Sequence, residues 1–119
     1  MAESRVCVKV GDLRKLYDKD YNFEKWLEDS ENVYCGRVGR IFVNKVYFKY
    51  DGSEWANPFT VKKYGLDKSI EMYKEYITEK IKEDSIMFDL SKLKGKKLGC
   101  WCNAKDKCHV DILMEIMKL

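Results

Sequence analysis

The chain has 119 residues, 45% hydrophobic and 36% charged, with a formal net charge of +3. A chain of this length holds one core rather than two, buries about two-thirds of its extended surface, and is too apolar for a disordered tail. No apolar run approaches the roughly 18 residues that a membrane helix needs, and the charge is too mild to mark a nucleic-acid binder by itself. The start, Met1-Ala2-Glu3-Ser4-Arg5, has no signal-peptide stretch, so a cytoplasmic, intracellular chain is expected, with no membrane partner.

Arg5-Val6-Cys7-Val8-Lys9-Val10 is rich in β-branched residues and predicts a strand, broken at Gly11-Asp12. Asp12 is placed to cap a short helix carrying Leu13 and Leu16, and Asn22 a second carrying Phe23, Trp26 and Leu27. Val33-Tyr34-Cys35 reads as a strand ended by Gly36-Arg37. The pattern from Arg40 to Tyr50 predicts a hairpin turning at Asn44-Lys45. Asp51-Gly52-Ser53 opens an irregular loop through Asn57-Pro58-Phe59.

Leu66, Ile70, Tyr73, Ile77 and Ile81 form one apolar stripe and predict a helix to Glu83, with Asp67 favouring its first turn. Met87 to Leu93 reads as a short helical turn ended by Gly95. Lys97 to Cys102 reads as a strand, and Cys108 to Lys118 as a last helix burying Ile112, Leu113, Ile116 and Met117. Strands interleaved with helices predict one α/β domain over residues 1–119. Its expected sheet is mixed or mainly parallel, with flanking helices and an inserted hairpin.

Five cysteines and no secretory signal argue against a disulfide framework. Cys7 and Cys35 sit in apolar runs and read as small core residues. Cys100, Cys102 and Cys108 crowd into nine positions beside the single histidine, His109. In a strand, residues 100 and 102 project to one face, and the following helix start can fold Cys108 and His109 over them. Three sulfurs and an imidazole make a set that zinc accepts tetrahedrally, provided the first helical turn is irregular enough to aim two consecutive residues at one ion.

A catalytic reading stands beside the metal one. A thiol at a helix N-terminus is activated by the dipole, so Cys108 is a candidate nucleophile, with His109 as acid/base and Asp111 orienting a ring nitrogen. In a purely structural reading Cys100 and Cys102 pack beneath the last helix and Asp111 caps it. Elsewhere, Arg37 follows a strand end, where ligand sites form in open α/β sheets, and an arginine there can grip a phosphate bidentately. Ser53, Trp55 and Asn57 add a hydroxyl, an indole for stacking and an amide; alternatively Trp55 and Phe59 anchor a core. Lys92, Lys94, Lys96 and Lys97 are a basic run that reads either as a nucleic-acid contact or as a solvated turn.

Together Val33-Tyr34-Cys35-Gly36-Arg37, Ser53-Glu54-Trp55-Ala56-Asn57-Pro58-Phe59, the run from Leu93 to Cys102, and Cys108-His109-Val110-Asp111 resemble one family. The family is DUF4326, an uncharacterised domain of bacteria, phages and large DNA viruses. The resemblance runs from about Val6 to Met117. Its Gly-Arg, Ser-x-Trp-Gly-Asn-Pro-Phe, Gly-Lys, Cys-Trp-Cys and Cys-His-x-Asp elements fall on matching residues here. Ala56 and Val110 depart from the usual glycines, and the segments from Leu16 to Ser30 and Gly39 to Tyr50 look inserted.

The resemblance implies fold and site placement, not a reaction. Two functions are expected on these grounds. One is an enzyme-like domain handling a phosphorylated or nucleotide-like ligand through Arg37, Ser53, Trp55 and Asn57, with Cys108 or a zinc-bound water acting on it. The other is a zinc-stabilised binding module for nucleic acid or a protein partner.

Overall fold

A computed structural model describes residues 3–103 and 105–118. In chain order its elements are β1 (Ser4–Cys7), α1 (Val10–Leu16), α2 (Phe23–Glu28), β2 (Asn32–Tyr34), β3 (Gly39–Val43), β4 (Val46–Tyr50), α3 (Val61–Tyr64) and α4 (Leu66–Glu83). A single turn of 3-10 helix at Leu90–Lys92, then β5 (Lys97–Cys100) and α5 (His109–Met117), complete them.

Strand β5 lies at the centre of a three-stranded parallel sheet, between β1 and β2. Leu98 is opposite both Arg5 and Val33, and Cys100 is opposite Cys7. Parallel neighbours require crossovers, and the intervening helices supply them. Leu98, Gly99 and Cys100 are buried, as a strand covered on both faces must be. Leu98 and Cys100 face one core, with Cys35, Trp55, Tyr73, Ile77 and Leu113. On the other face Val8, Leu13, Phe23, Trp26 and Tyr34 form a second core. Gly99 makes room there: a Cβ at this position would lie 2.4 Å from Trp26 Cη2 and 2.9 Å from Val8 Cγ1.

The elements form largely where the sequence predicts, with instructive shifts. The first strand stops at Cys7 because Lys9 is an extended N-cap, so Val10 already belongs to α1 and Asp12 lies in its first turn instead of capping it. Asn22 does cap α2, its Oδ1 accepting from the Lys25 amide at 2.9 Å. The apolar stripe of α4 turns Ile70, Tyr73 and Ile77 into the core. Helix α3 was not expected; Thr60 Oγ1 caps it, and Gly65 at φ +82° separates it from α4. No helix among the described residues is long and apolar enough to cross a membrane.

The two segments that looked inserted pack against each other. Ile41, Phe48 and Tyr50 of the antiparallel β3–β4 hairpin lie on the second core. Phe23 of α2 stands there with ring centroids 5.0 Å from Tyr50, 5.1 Å from Tyr34 and 5.1 Å from Trp101. The hairpin turns through Asn44 and Lys45 at φ 51° and 68°, the paired positive values that a tight two-residue turn demands.

Candidate functional site

Strand β5 ends at Cys100, and the chain continues through Trp101 to Cys102 at the carboxyl end of the sheet. Arg5, on neighbouring β1, holds the loop that follows. Its guanidinium donates to the carbonyl oxygens of Asp106 (2.8 Å) and Asn103 (3.2 Å) and pairs with Asp111 Oδ2 at 3.0 Å. Burial lowers the Arg5 pKa, but Asp111 and the Cys108 and Cys100 thiols outweigh it, and the net shift is upward.

Cys108 is the N-cap of α5. Its amide donates to Asp111 Oδ2 at 2.9 Å, and its sulfur accepts from the Asp111 amide in a reciprocal box. These contacts bring the sulfurs of Cys100, Cys102 and Cys108 within 4.8 Å of one another, so the three cysteines can hold a metal ion. Sulfurs bound tetrahedrally to one zinc stand about 3.8 Å apart, a small contraction from this arrangement.

The irregular first turn that two consecutive ligands would need is present. Cys108 has extended backbone, at φ −134° and ψ 155°, and its Sγ lies 3.6 Å from His109 Nδ1. A sulfur and a nitrogen sharing one tetrahedral zinc are also separated by about 3.6 Å. His109 is 8% exposed, and its Nε2 meets the carbonyl oxygen of Cys35. A carbonyl only accepts, so Nε2 carries the proton and Nδ1 presents its lone pair beside the sulfurs. Tyr73 packs edge-on against the ring at 5.1 Å and completes its orientation.

The thiols share charge unequally. Hydrogen bonds from the Cys100 and Cys108 thiols hold Cys102 far below the ordinary cysteine range, and burial opposes this. Cys100 is pushed up to about 12, first by its bond to Cys102, and Cys108 is pushed up by the bonds to Cys100 and Cys102. Cys102 is thus the most acidic of the three and the half-buried one, while the other two sulfurs are fully enclosed.

A cleft of about 340 Å³ opens beside this corner, with Arg37, Asn57, Trp101, Cys102, Lys107 and His109 in its walls. Arg37 Nε donates to the Asn57 carbonyl at 2.9 Å, and its side chain is exposed at the cleft. Asn57 is 6% exposed, with its amide satisfied by Ser69 Oγ and the Phe59 amide. Its side chain therefore braces the wall that Arg37 leans on. Tyr34, also in the wall, donates to the Arg37 carbonyl and accepts from Trp101 Nε1, both at 2.8 Å.

The other expected site residues lie elsewhere. Trp55 is 1% exposed, packs edge-on against Phe88, and has its carbonyl bound by the Tyr73 hydroxyl, so its indole is a core anchor with no face free for stacking. Ser53 Oγ accepts from the Trp55 amide in a turn outside the cleft. Asp111 faces Arg5 and the Cys108 amide, and the ring of His109 is oriented by Cys35 instead. The Cys108 thiol is enclosed and pushed up, the reverse of an activated nucleophile. The basic run is dispersed: Lys96 pairs with Glu31, Lys97 lies over Tyr17, and Lys92 reaches the Met87 carbonyl.

Sequence reasoning missed Arg5, Lys107 and the Cys35 carbonyl, which carry no local pattern. Tyr34 was visible only through the family motif.

A parallel α/β sheet whose central strand delivers two cysteines to its carboxyl end, met there by a Cys-His helix start, defines a small thiol-cluster α/β domain. The chain belongs to the DUF4326 family, a domain of unknown function, whose profile matches residues 20–119. It is similar to an uncharacterized protein of Acanthamoeba polyphaga mimivirus, with 33% identity over 96 residues that cover 74% of this chain and 68% of that protein. No solved structure matches it.

Proposed function

We propose that the chain is a ligand-handling domain that takes a small phosphorylated, nucleotide-like ligand in the cleft beside a zinc-bearing cysteine cluster. One observation carries this reading: Arg37 and Lys107 line the same cleft as Cys102 and His109, and no carboxylate stands in its described walls. Neither cation forms an ion pair with a described carboxylate. An arginine fork and an ammonium left unneutralised beside the rings of Tyr34, Tyr50 and Trp101 suit an anion attached to a flat group.

Zinc suits the donor set. Cys100, Cys102 and Cys108 would supply sulfur and His109 Nδ1 the nitrogen, with the Nε2 proton committed to Cys35. A closed four-ligand set is of the structural kind, and it would stiffen the cleft floor. A second reading has one observation in its favour: Cys102, the most acidic thiol of the cluster, is the sulfur that lines the cleft. In metal-free protein that thiolate is a nucleophile placed against the ligand.

Elemental analysis of the purified chain separates the two, with one zinc per chain expected. Thermal shifts across inorganic phosphate, nucleoside phosphates and sugar phosphates test the cleft. A rise in melting temperature with a phosphorylated ligand, lost in Arg37→Ala, is expected. No rise with any of them, or an equal rise in the variant, refutes it.

A further inference from the structure

We propose that the outward face of the β3–β4 hairpin is a docking surface for single-stranded nucleic acid. The register sorts the hairpin's side chains cleanly. Ile41 and Phe48 face each other across the strands and pack inward on the second core. The alternate pairs, Arg40 with Lys49 and Phe42 with Tyr47, therefore share the opposite face. Phe42 is 63% exposed and Tyr47 53%, with their rings stacked at a centroid distance of 4.0 Å. The Arg40 guanidinium lies 4.8 Å from the centre of the Tyr47 ring, and Lys45 occupies the turn.

This face combines two features that water serves poorly together. Large rings stand in solvent, although the hairpin has a core side available to it. Three cations flank them, and residues 39–50 contain no Asp or Glu. None of Arg40, Lys45 and Lys49 forms an ion pair with a described carboxylate. A partner that answers both must offer flat ring faces and regularly spaced negative charge. A nucleic-acid strand does so, and only a single strand exposes its bases for stacking. An acidic peptide matches the charge and leaves the rings unused.

Fluorescence anisotropy on the full chain, with a labelled oligothymidylate of about 16 nucleotides and a duplex of the same length, tests the proposal. Single-strand binding that weakens steeply between about 50 and 200 mM salt is expected, with the duplex weaker. The double variant Phe42→Ala/Tyr47→Ala should lose about tenfold in affinity, within the range of base–aromatic stacking. Arg40→Glu/Lys49→Glu should flatten the salt dependence. Circular dichroism verifies that these exposed substitutions leave the fold intact. Binding that the variants do not change, equal affinity for duplex, or no binding at the lowest salt overturns the proposal. So does a concentration-dependent dimer in light scattering that Phe42→Ala abolishes, since the hairpin edges would then serve a second copy of the chain.

Discussion

Cys35 and His109, 74 positions apart, are joined by a hydrogen bond between the backbone carbonyl of one and the ring Nε2 of the other. The contact fixes the imidazole tautomer before any ligand arrives, and it ties the start of α5 to the segment following β2. The Nδ1 lone pair is thereby left facing sulfur.

That tautomer is directly measurable. Long-range proton–nitrogen correlation spectra of the metal-free chain should show the Nε2-protonated form near neutral pH. Adding zinc should move the Nδ1 resonance and leave Nε2 protonated. A predominantly Nδ1-protonated ring would remove histidine from the proposed ligand set.

Removing the proposed zinc should cost stability. With zinc about a thousandfold above its dissociation constant, binding contributes about 4 kcal/mol. For a chain of this size that corresponds to roughly 15 °C in melting temperature. Chelation should lower the melting temperature by that order, and Cys100→Ser and Cys108→Ser should start low and not respond. A melting curve indifferent to chelator would leave the cysteines a packing role only.

Arg5 holds the loop between Cys102 and Cys108, with side-chain exposures of 13% for itself and 32% for its partner Asp111. Arg5→Gln should destabilise the chain by about 2–3 kcal/mol, the range for charge-assisted bonds in a partly buried setting. Asp111→Asn keeps an acceptor for the Cys108 amide and should cost less. Urea unfolding compares the two; a loss under about 0.5 kcal/mol in Arg5→Gln would show that the loop holds itself.

Gly99→Ala should cost about 1–3 kcal/mol. The added methyl would press on the fully buried Trp26 ring and on Val8, in the central strand, where the backbone cannot retreat. A variant as stable as the parent would mean that Trp26 has space to shift.

Alkaline pH should loosen the cleft wall. Burial pushes the Tyr34 phenol well above its ordinary value of 10.0, and Trp101 opposes this. A raised folded-state pKa favours the neutral form, so the stabilisation is complete below the unfolded value of about 10 and falls as pH climbs above it. Ionisation also removes the proton donated to the Arg37 carbonyl. Melting temperature should drop as pH climbs above about 10, and Tyr34→Phe should flatten that part of the drop while lowering the neutral-pH value. An unaltered alkaline limb in that variant would assign the drop to other groups.

Local chemistry was legible in the sequence; convergence across the fold was not. The spacing of Ile70, Tyr73 and Ile77 prescribes a helical face, and Asn22 announces its cap through a single side chain. The cysteine cluster could be read because its members are close along the chain. Trp55 was ambiguous because a loop indole serves either a ligand or a core, and only the packing of Phe88 and Tyr73 around it decides. Arg5 escaped notice because its role depends on β1 lying beside β5, and strand order leaves no periodic trace. Helix α3 has four residues, too few to display a stripe.

The position of β5 has a consequence for biogenesis. Since β1 and β2 touch β5 and not each other, the emerging chain cannot assemble its sheet until residues 97–100 have cleared the ribosome. Until then two orphan strands wait with open edges, so a partly made chain is aggregation-prone for as long as β5 is missing.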